Sequence, residues 1–203
     1  MHPALGLIPA YVLGSIPAAY IAGRATKGID LRMHGSGNLG ATNVYRVLGA
    51  KIAIAVLLFD AAKGALPVLF FPRLFAAPAP EYWALAYGVA AIAGHVRPIF
   101  LLWKGGGKGV ATAAGVFFAL APVPMLATTV AWAIVVLASG YVSLASLVAA
   151  AVLPVALAVT RGVESPVFLA SLFICAFVFW THRTNIGRLR RGEESRFGRK
   201  APV

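Results

Sequence analysis

The sequence predicts an all-α integral membrane protein with seven transmembrane helices, its N-terminus outside and its C-terminus in the cytoplasm. Three observations carry that prediction. Apolar residues make up 60% of the chain and gather in runs at 5–22, 52–71, 83–103 and 110–159. Basic residues gather in three polar segments. The apolar pieces that separate those segments are even in number.

A soluble domain of 203 residues has too little interior to hide so much apolar surface. Runs of this length suit a hydrocarbon core of about 30 Å, which takes about 20 helical residues to cross. They neither alternate residue by residue nor form a narrow helical stripe. Helices are the expected element, since lipid offers no hydrogen-bond partner to an open sheet edge, and a membrane β-barrel would alternate along each strand. The first run lacks a basic leading region and continues too far for a secretory signal, so it reads as a retained first span. The single cysteine, Cys175, excludes an intrachain disulfide.

The net charge is +12, from 18 basic and 6 acidic residues. In a soluble protein that balance would point to nucleic acid. Here no soluble basic domain could bind it, and the basic residues follow the positive-inside rule. Segments 24–51, 104–109 and 182–203 hold 14 of the 18, as five, two and seven. The other connections are poor in charge: 72–82 carries Arg73 and Glu81, and 161–166 carries Arg161 and Glu164. The three basic segments therefore share the cytoplasmic side. Two spans separate the first from the second. Between the second and third, breaks at Ala121-Pro-Val-Pro124, Ser139-Gly140 and 161–166 leave pieces at 110–121, 123–139, 142–160 and 166–181. Four is even, and the first span brings the count to seven. The piece at 110–121 is short for a crossing. The alternative is five spans, with 110–140 as one long helix and one later piece not crossing. The chain reads as one polytopic domain over 1–203. Its active-site segments are 24–51, 104–109 and 182–194, and its basic tail is 195–203.

Asp60 and Lys63 fall deep in the second span, three residues apart and so on one helix face. An intramembrane charge is costly unless it faces the interior, and the pair reads as a packing device. The first polar segment contains Gly35-Ser-Gly-Asn-Leu-Gly-Ala-Thr-Asn43 and then Arg46. Its small residues let a ligand approach the backbone, and Ser36, Asn38, Thr42 and Asn43 offer neutral hydrogen-bonding groups. If a helix begins here, Thr42, Asn43 and Arg46 share a face, and free N–H groups point at the loop as an anion site.

The second segment reads Gly94-His95, Pro98, Phe100 and then Lys104-Gly-Gly-Gly-Lys-Gly109. Consecutive glycines before a helix can cradle phosphate oxygens with their N–H groups, and Lys104 and Lys108 add compact positive charge. It is not a Walker A loop, because Val110 stands where Ser or Thr should follow and the glycine spacing differs. His95, alone near a helix end, reads as structural. In the third segment His182, Asn185 and Leu189 share a helical face with Arg188 close by. Arg190, Arg191, Arg196, Arg199 and Lys200 read as a basic anchor at the membrane surface. That reading leaves His182 and Asn185 unexplained. There is no Gly-x-Ser-x-Gly elbow, no zinc-type cluster and almost no loop carboxylate, so neither metal nor cofactor is expected. The loops assemble a phosphate-preferring site at the membrane surface, for a substrate that joins phosphate to lipid.

These motifs resemble the bacterial acyl-phosphate:glycerol-3-phosphate acyltransferases (PlsY). The resemblance rests on Ser36-Gly-Asn-Leu-Gly-Ala-Thr-Asn43, Gly94-His-x-x-Pro-x-Phe100 with Lys104-Gly-Gly-Gly-Lys-Gly-Val-Ala-Thr112, Tyr141-Val-Ser-Leu-Ala-Ser146, and His182-Arg-x-Asn-Ile-x-Arg-Leu-x-x-Gly-x-Glu194. It runs from Gly14-Ser15 to Glu194. It implies a seven-span enzyme that moves an acyl group from acyl phosphate to the 1-hydroxyl of glycerol 3-phosphate, giving lysophosphatidic acid, without acyl-CoA or metal. It implies that Ser36, Arg46, Lys104, His182 and Asn185 are needed for activity. Asn38, Thr42, Asn43, Gly105, Gly106, Gly107, Lys108, Ser143 and Arg188 are read as substrate contacts, and Glu194 as a structural support. One departure stands out: the family commonly has two glycines between the lysines, and this chain has three. The count from His95 to Lys104 agrees, which anchors Lys104 more firmly than Lys108. The expected partners are acyl phosphate, glycerol 3-phosphate and membrane lipid, with no nucleic acid, and the chain is expected to act as a monomer in the bacterial plasma membrane with its site facing the cytoplasm.

Both substrates carry phosphate. The expectation is that Lys104 and the loop N–H groups hold one, while Arg46 and Asn185 hold the other. Ser36 and Asn38 would orient the glycerol hydroxyl or the acyl carbonyl. Acyl phosphate is already activated, so positioning and charge stabilisation can supply much of the rate without an acyl-enzyme. The base is His182 or a phosphate oxygen of the glycerol phosphate, and the lack of a carboxylate beside His182 favours the phosphate. A transporter would place polar groups mid-membrane in two related halves, and no internal repeat is visible. A lipid phosphatase would need no acyl acceptor.

Overall fold

The computed structural model describes residues 2–197, and among them every regular element is helical. Arg199 and Lys200 of the basic tail lie outside the described residues. The chain divides into two compact units, one ending at Leu120 and the other starting at Ala121.

In the first unit, a turn over Pro3–Gly6 leads into α1 (Leu7–Gly14) and, after a break at Pro17, α2 (Ala18–Lys27). Proline lacks the N–H that would continue the ladder, so the first apolar run is one candidate span made of two helices. Gly28, at φ 67°, closes α2 by donating to Arg24 O, while Ile29 N–H reaches back to Gly23 O. Then come α3 (Ala41–Leu48), α4 (Ala50–Leu74), α5 (Pro80–Val96) and α6 (Val110–Leu120). The apolar run over 83–103 falls largely within one candidate span, Pro80–Leu101, made of α5 and a following single turn. Arg97 precedes Pro98, which disfavours the helical conformation, and α5 stops at Val96. A single turn, Ile99–Leu101, follows, and Leu102 and Trp103 then take left-handed φ values of 51° and 59°.

Glycines let these helices touch backbone to backbone. A Cβ on Gly115 of α6 would sit 1.9 Å from Ala61 O of α4, and one on Gly64 would sit 2.2 Å from Thr112 O. Between α1 and α5 the same holds for Gly14 against Ala91 O (2.1 Å) and Gly94 against Tyr11 O (2.2 Å). Small residues at helix contacts are how packing is gained where burial from water offers no drive.

The second unit holds α7 (Pro122–Ser139), α8 (Val142–Arg161), α9 (Pro166–Thr181) and α10 (Arg183–Arg190). The alternative of one helix over 110–140 does not form, because α6 ends at Leu120 and Pro122 begins a new helix. The boundaries of the four expected pieces agree with α6 to α9 to within a residue or so. Helices α9 and α10 meet at a bend of 59° at His182. Among the described residues five segments are long and apolar enough to cross a membrane, and six if the bent pair counts as one. Helix α6 has 11 residues, about 16 Å of rise. Large apolar side chains such as Leu137, Val159 and Phe173 stand outward, each more than three-quarters exposed, as lipid contact requires.

After α10 the chain folds back on its own unit. Phe197 N–H donates to Gly140 O at 2.7 Å, and the Arg196 guanidinium lies over the Tyr141 ring. Glu194 is the buried anchor of this return. Its Oε1 accepts from Asn185 Nδ2 at 2.6 Å and its Oε2 from Arg188 Nε at 2.7 Å. Burial pushes this carboxyl up, but the hydrogen bonds from Arg188 and Asn185 outweigh it and hold the group below its ordinary value near 4.5. A depressed carboxyl stabilises the fold above its ordinary value, and that stabilisation is lost as pH falls through the folded value. We therefore expect Glu194→Gln to lower stability at neutral pH by about 1–3 kcal/mol, the usual cost of a lost charged hydrogen bond. Thermal unfolding in detergent at stepped pH checks this: the gap to the unsubstituted protein should close on acidification. A gap that is flat with pH would contradict the ionised carboxylate.

Candidate active site

The glycine-rich stretch of the first unit presents a serine at the tip of a loop that one asparagine holds in shape. Asn43 is buried on the inner side of α3. Its Oδ1 accepts the Ser36 N–H at 2.8 Å, and its Nδ2 donates to His34 O at 3.0 Å and Leu31 O at 3.3 Å. Ser36 stands exposed between Gly35 and Gly37, both at positive φ. The left-handed conformation on either side turns the chain sharply enough to push the serine outward. Asn43, read from sequence as a substrate contact, has its amide engaged by the loop backbone on both its oxygen and its nitrogen. The helix expected to begin here does begin. Gly40 is the N-cap of α3 and brings no capping side chain, which leaves N–H groups of the first turn directed at the loop. Asn38 and Thr42 are half-buried beside it, and Arg46 is exposed on the last turn.

Lys104 opens the second loop, exposed to solvent. The loop rests on the end of α5. Gly107 N–H donates to His95 O at 3.3 Å, so this N–H is turned inward and not toward a ligand. A Cβ on Gly106 would meet Val96 O at 2.2 Å. Gly105 and Gly109 take φ values of 77° and 83°. Lys108 is half-buried just ahead of α6. Beneath lies the pair read from sequence: Lys63 Nζ is 2.7 Å from Asp60 Oδ1, and both residues are buried.

Arg32, which sequence reading passed over, ties the two loops together. Its guanidinium grips Asp30 through Nη2–Oδ2 at 2.7 Å and Nε–Oδ1 at 3.1 Å, and lies over the Tyr20 ring. Its Nη1 donates to Lys104 O at 3.3 Å. The hydrogen bond from Arg32 holds the Asp30 carboxyl down at about 2. The only available signal was the Asp-x-Arg spacing at 30–32, in a loop otherwise poor in carboxylates.

In the second unit, His182 sits at the bend between α9 and α10, 3% exposed. Its Nδ1 lies 2.8 Å from Val178 O. A carbonyl only accepts, so Nδ1 carries the proton and Nε2 is the basic nitrogen of the neutral ring. Sequence reading found no carboxylate to orient this histidine; a main-chain carbonyl does it instead. Asn185 and Arg188 converge on Glu194 from α10, and Ser143, buried on the first turn of α8, faces the same carboxylate. The expected phosphate contact Asn185 thus has one amide hydrogen engaged by Glu194.

Comparison with known proteins agrees along nearly the whole chain. The family model for glycerol-3-phosphate acyltransferase matches residues 4–192. The chain is 46% identical to glycerol-3-phosphate acyltransferase from Geotalea daltonii over 195 residues, covering 95% of this chain and 96% of that one. The same protein from Geobacter sulfurreducens is 46% identical over 190 residues, covering 93% and 94%. Among solved structures, PlsY, an integral membrane glycerol 3-phosphate acyltransferase, matches in its glycerol 3-phosphate form with a TM-score of 0.88 at 40% identity, over 97% of this chain and 96% of that one. Its lysophosphatidic acid form matches with a TM-score of 0.84 at 39% identity, over 97% and 95%. With motifs, sequence and fold in agreement over nearly its full length, this multi-pass membrane chain belongs to the glycerol-3-phosphate acyltransferase family.

Proposed function

We propose that this acyltransferase takes its acyl group from an acyl phosphate and delivers it to the 1-hydroxyl of glycerol 3-phosphate, releasing inorganic phosphate and lysophosphatidic acid. The observation that carries the reading is the junction made by Arg32. It joins a serine-tipped loop and a lysine-headed glycine loop, both cationic or neutral, and the carboxylate at that junction, Asp30, is already neutralised. Two phosphate-bearing substrates need such a surface. Lys104 and the loop around Gly105 hold one phosphate and Arg46 the other, each a charge-assisted contact. Ser36 and Asn38 hydrogen-bond the reacting oxygens.

The glycerol oxygen attacks the acyl carbonyl carbon, the bond from that carbon to the phosphate oxygen breaks, and phosphate leaves with the electron pair. The hydroxyl proton passes to a phosphate oxygen, whose second pKa is about 6. His182 is held through Nδ1 by the Val178 carbonyl, which leaves Nε2 as the acceptor of its ring. Its Nε2 accepts the hydroxyl hydrogen bond and aims the oxygen. Asn185, braced by Glu194, is the other residue of the His182 motif that the reaction needs. The protein works in the bacterial plasma membrane as a monomer, with seven spans, its N-terminus outside, and segments 24–51, 104–109 and 182–194 in the cytoplasm. The glycines that bring α6 onto α4 support a crossing by so short a helix, because its ends can be satisfied by protein instead of lipid.

The deciding experiment supplies purified protein in detergent with labelled glycerol 3-phosphate and either palmitoyl phosphate or palmitoyl-CoA, with chelator present. Product from the acyl phosphate alone is expected; product from palmitoyl-CoA alone would overturn the donor. For the proton, His182→Ala should lower kcat/KM by about 100-fold or more, the scale of a lost orienting group, with a raised KM for glycerol 3-phosphate. Near-complete loss of kcat with unchanged KM would instead make His182 the base. For topology, single cysteines introduced at 28 and 162 in the Cys175→Ser protein should label from opposite faces of sealed vesicles. Labelling from one face would refute the seven-span order.

A further inference from the structure

The buried charges of α4 lie directly under the glycine loop, and their arrangement goes beyond packing. Lys63 Nζ is held by Asp60 Oδ1 at 2.7 Å and donates to Ile16 O at 2.8 Å, a carbonyl released from the helix ladder by the break at Pro17. On the other side of the carboxylate, His95 Nδ1 lies 3.5 Å from Asp60 Oδ1. The far nitrogen of the same ring abuts the loop: a Cβ on Gly107 would fall 2.0 Å from His95 Nε2. The His95 carbonyl also takes the Gly107 N–H. A small cavity lined by Asp60, Lys63, His95, Gly106 and Gly107 joins these groups. Taking two charges out of water costs more than their attraction generally returns, and an apolar pair of similar volume usually packs as well. The pair therefore calls for a role beyond cohesion.

We infer that Asp60, Lys63 and His95 form a positioning network, in which the carboxylate sets the His95 ring and the ring sets the height of the glycine loop carrying Lys104. None of the three touches substrate. The ion pair is clamped to the α1–α2 break, a fixed point of the unit. A carboxylate behind one ring nitrogen fixes both tautomer and orientation, as outer partners do for metal-bound histidines. The ring then acts as the floor on which Gly106 and Gly107 sit, and only glycine fits there. This rests on the reading above, that Lys104 and its loop meet a substrate phosphate.

The test is steady-state acyl transfer by the purified full chain, with KM determined separately for acyl phosphate and glycerol 3-phosphate. The double variant Asp60→Leu/Lys63→Met removes both charges without stranding either. We expect it to fold and to raise KM for one of the two substrates about tenfold, the lower end for a lost outer partner, with kcat within about threefold. A folded double variant with both KM values unchanged would overturn the network and leave the pair as packing alone. Should it fail to fold, His95→Gln carries the test with the ion pair intact. The same KM should rise, and an unchanged KM for both substrates would again overturn the inference. Lys104→Ala separates the two levels. If it leaves both KM and kcat untouched, the loop reading itself is wrong. If it impairs binding while the network variants do not, only the network falls. In the Lys104→Ala background, His95→Gln should add less than about twofold, because groups acting through one contact are not additive.

Discussion

A backbone carbonyl released from a helix inside lipid has nowhere to turn but to the protein itself. This chain breaks its helices at Pro17 and Pro98, and at each of these breaks a side chain reaches over to the main chain. Lys63 takes Ile16 O and Tyr11 Oη takes Arg97 O. The breaks make room for the polar loops. Capture of the carbonyls makes the breaks tolerable, and the capturing side chains end up beside the loops. The groups that repair the helices and the groups that shape the site are therefore partly the same.

That economy explains what the sequence disclosed. Helix boundaries were legible because apolar runs and proline breaks act locally: Pro122 divides α6 from α7 where the chain reads Ala-Pro-Val-Pro. The Asp60–Lys63 pair was legible because helix periodicity alone places both on one face. Near the end of α5 the two signals separate: hydropathy continues through Trp103, while the backbone turns at Arg97, just past His95. Composition reports the solvent a residue prefers and is silent about the direction of the chain.

The polar loops were legible as a set of residues and much less as a set of contacts. Asn43 and Ser36 look alike in a polar motif. In the fold one is a buried strut and the other an exposed tip. Three consecutive glycines suggested a row of N–H donors, whereas Gly107 turns its own inward to His95. Arg32 escaped notice because its partner across the fold is a main-chain oxygen 72 residues away, which no side-chain pattern records. His182 appeared to lack an orienting group for the same reason. Main-chain acceptors are present at every position, so only the fold shows which one is used.

The glycine loop has a rigid end and a compliant end. Gly106 and Gly107 press on the backbone and ring at the close of α5, which have no slack, while Gly105 faces only the flexible stem of Arg32. A change in the number of glycines can therefore be absorbed at the Lys104 side alone. Loop length becomes a way to adjust the reach of one lysine while the ground beneath it stays put, so an extra glycine retunes the site without rebuilding it.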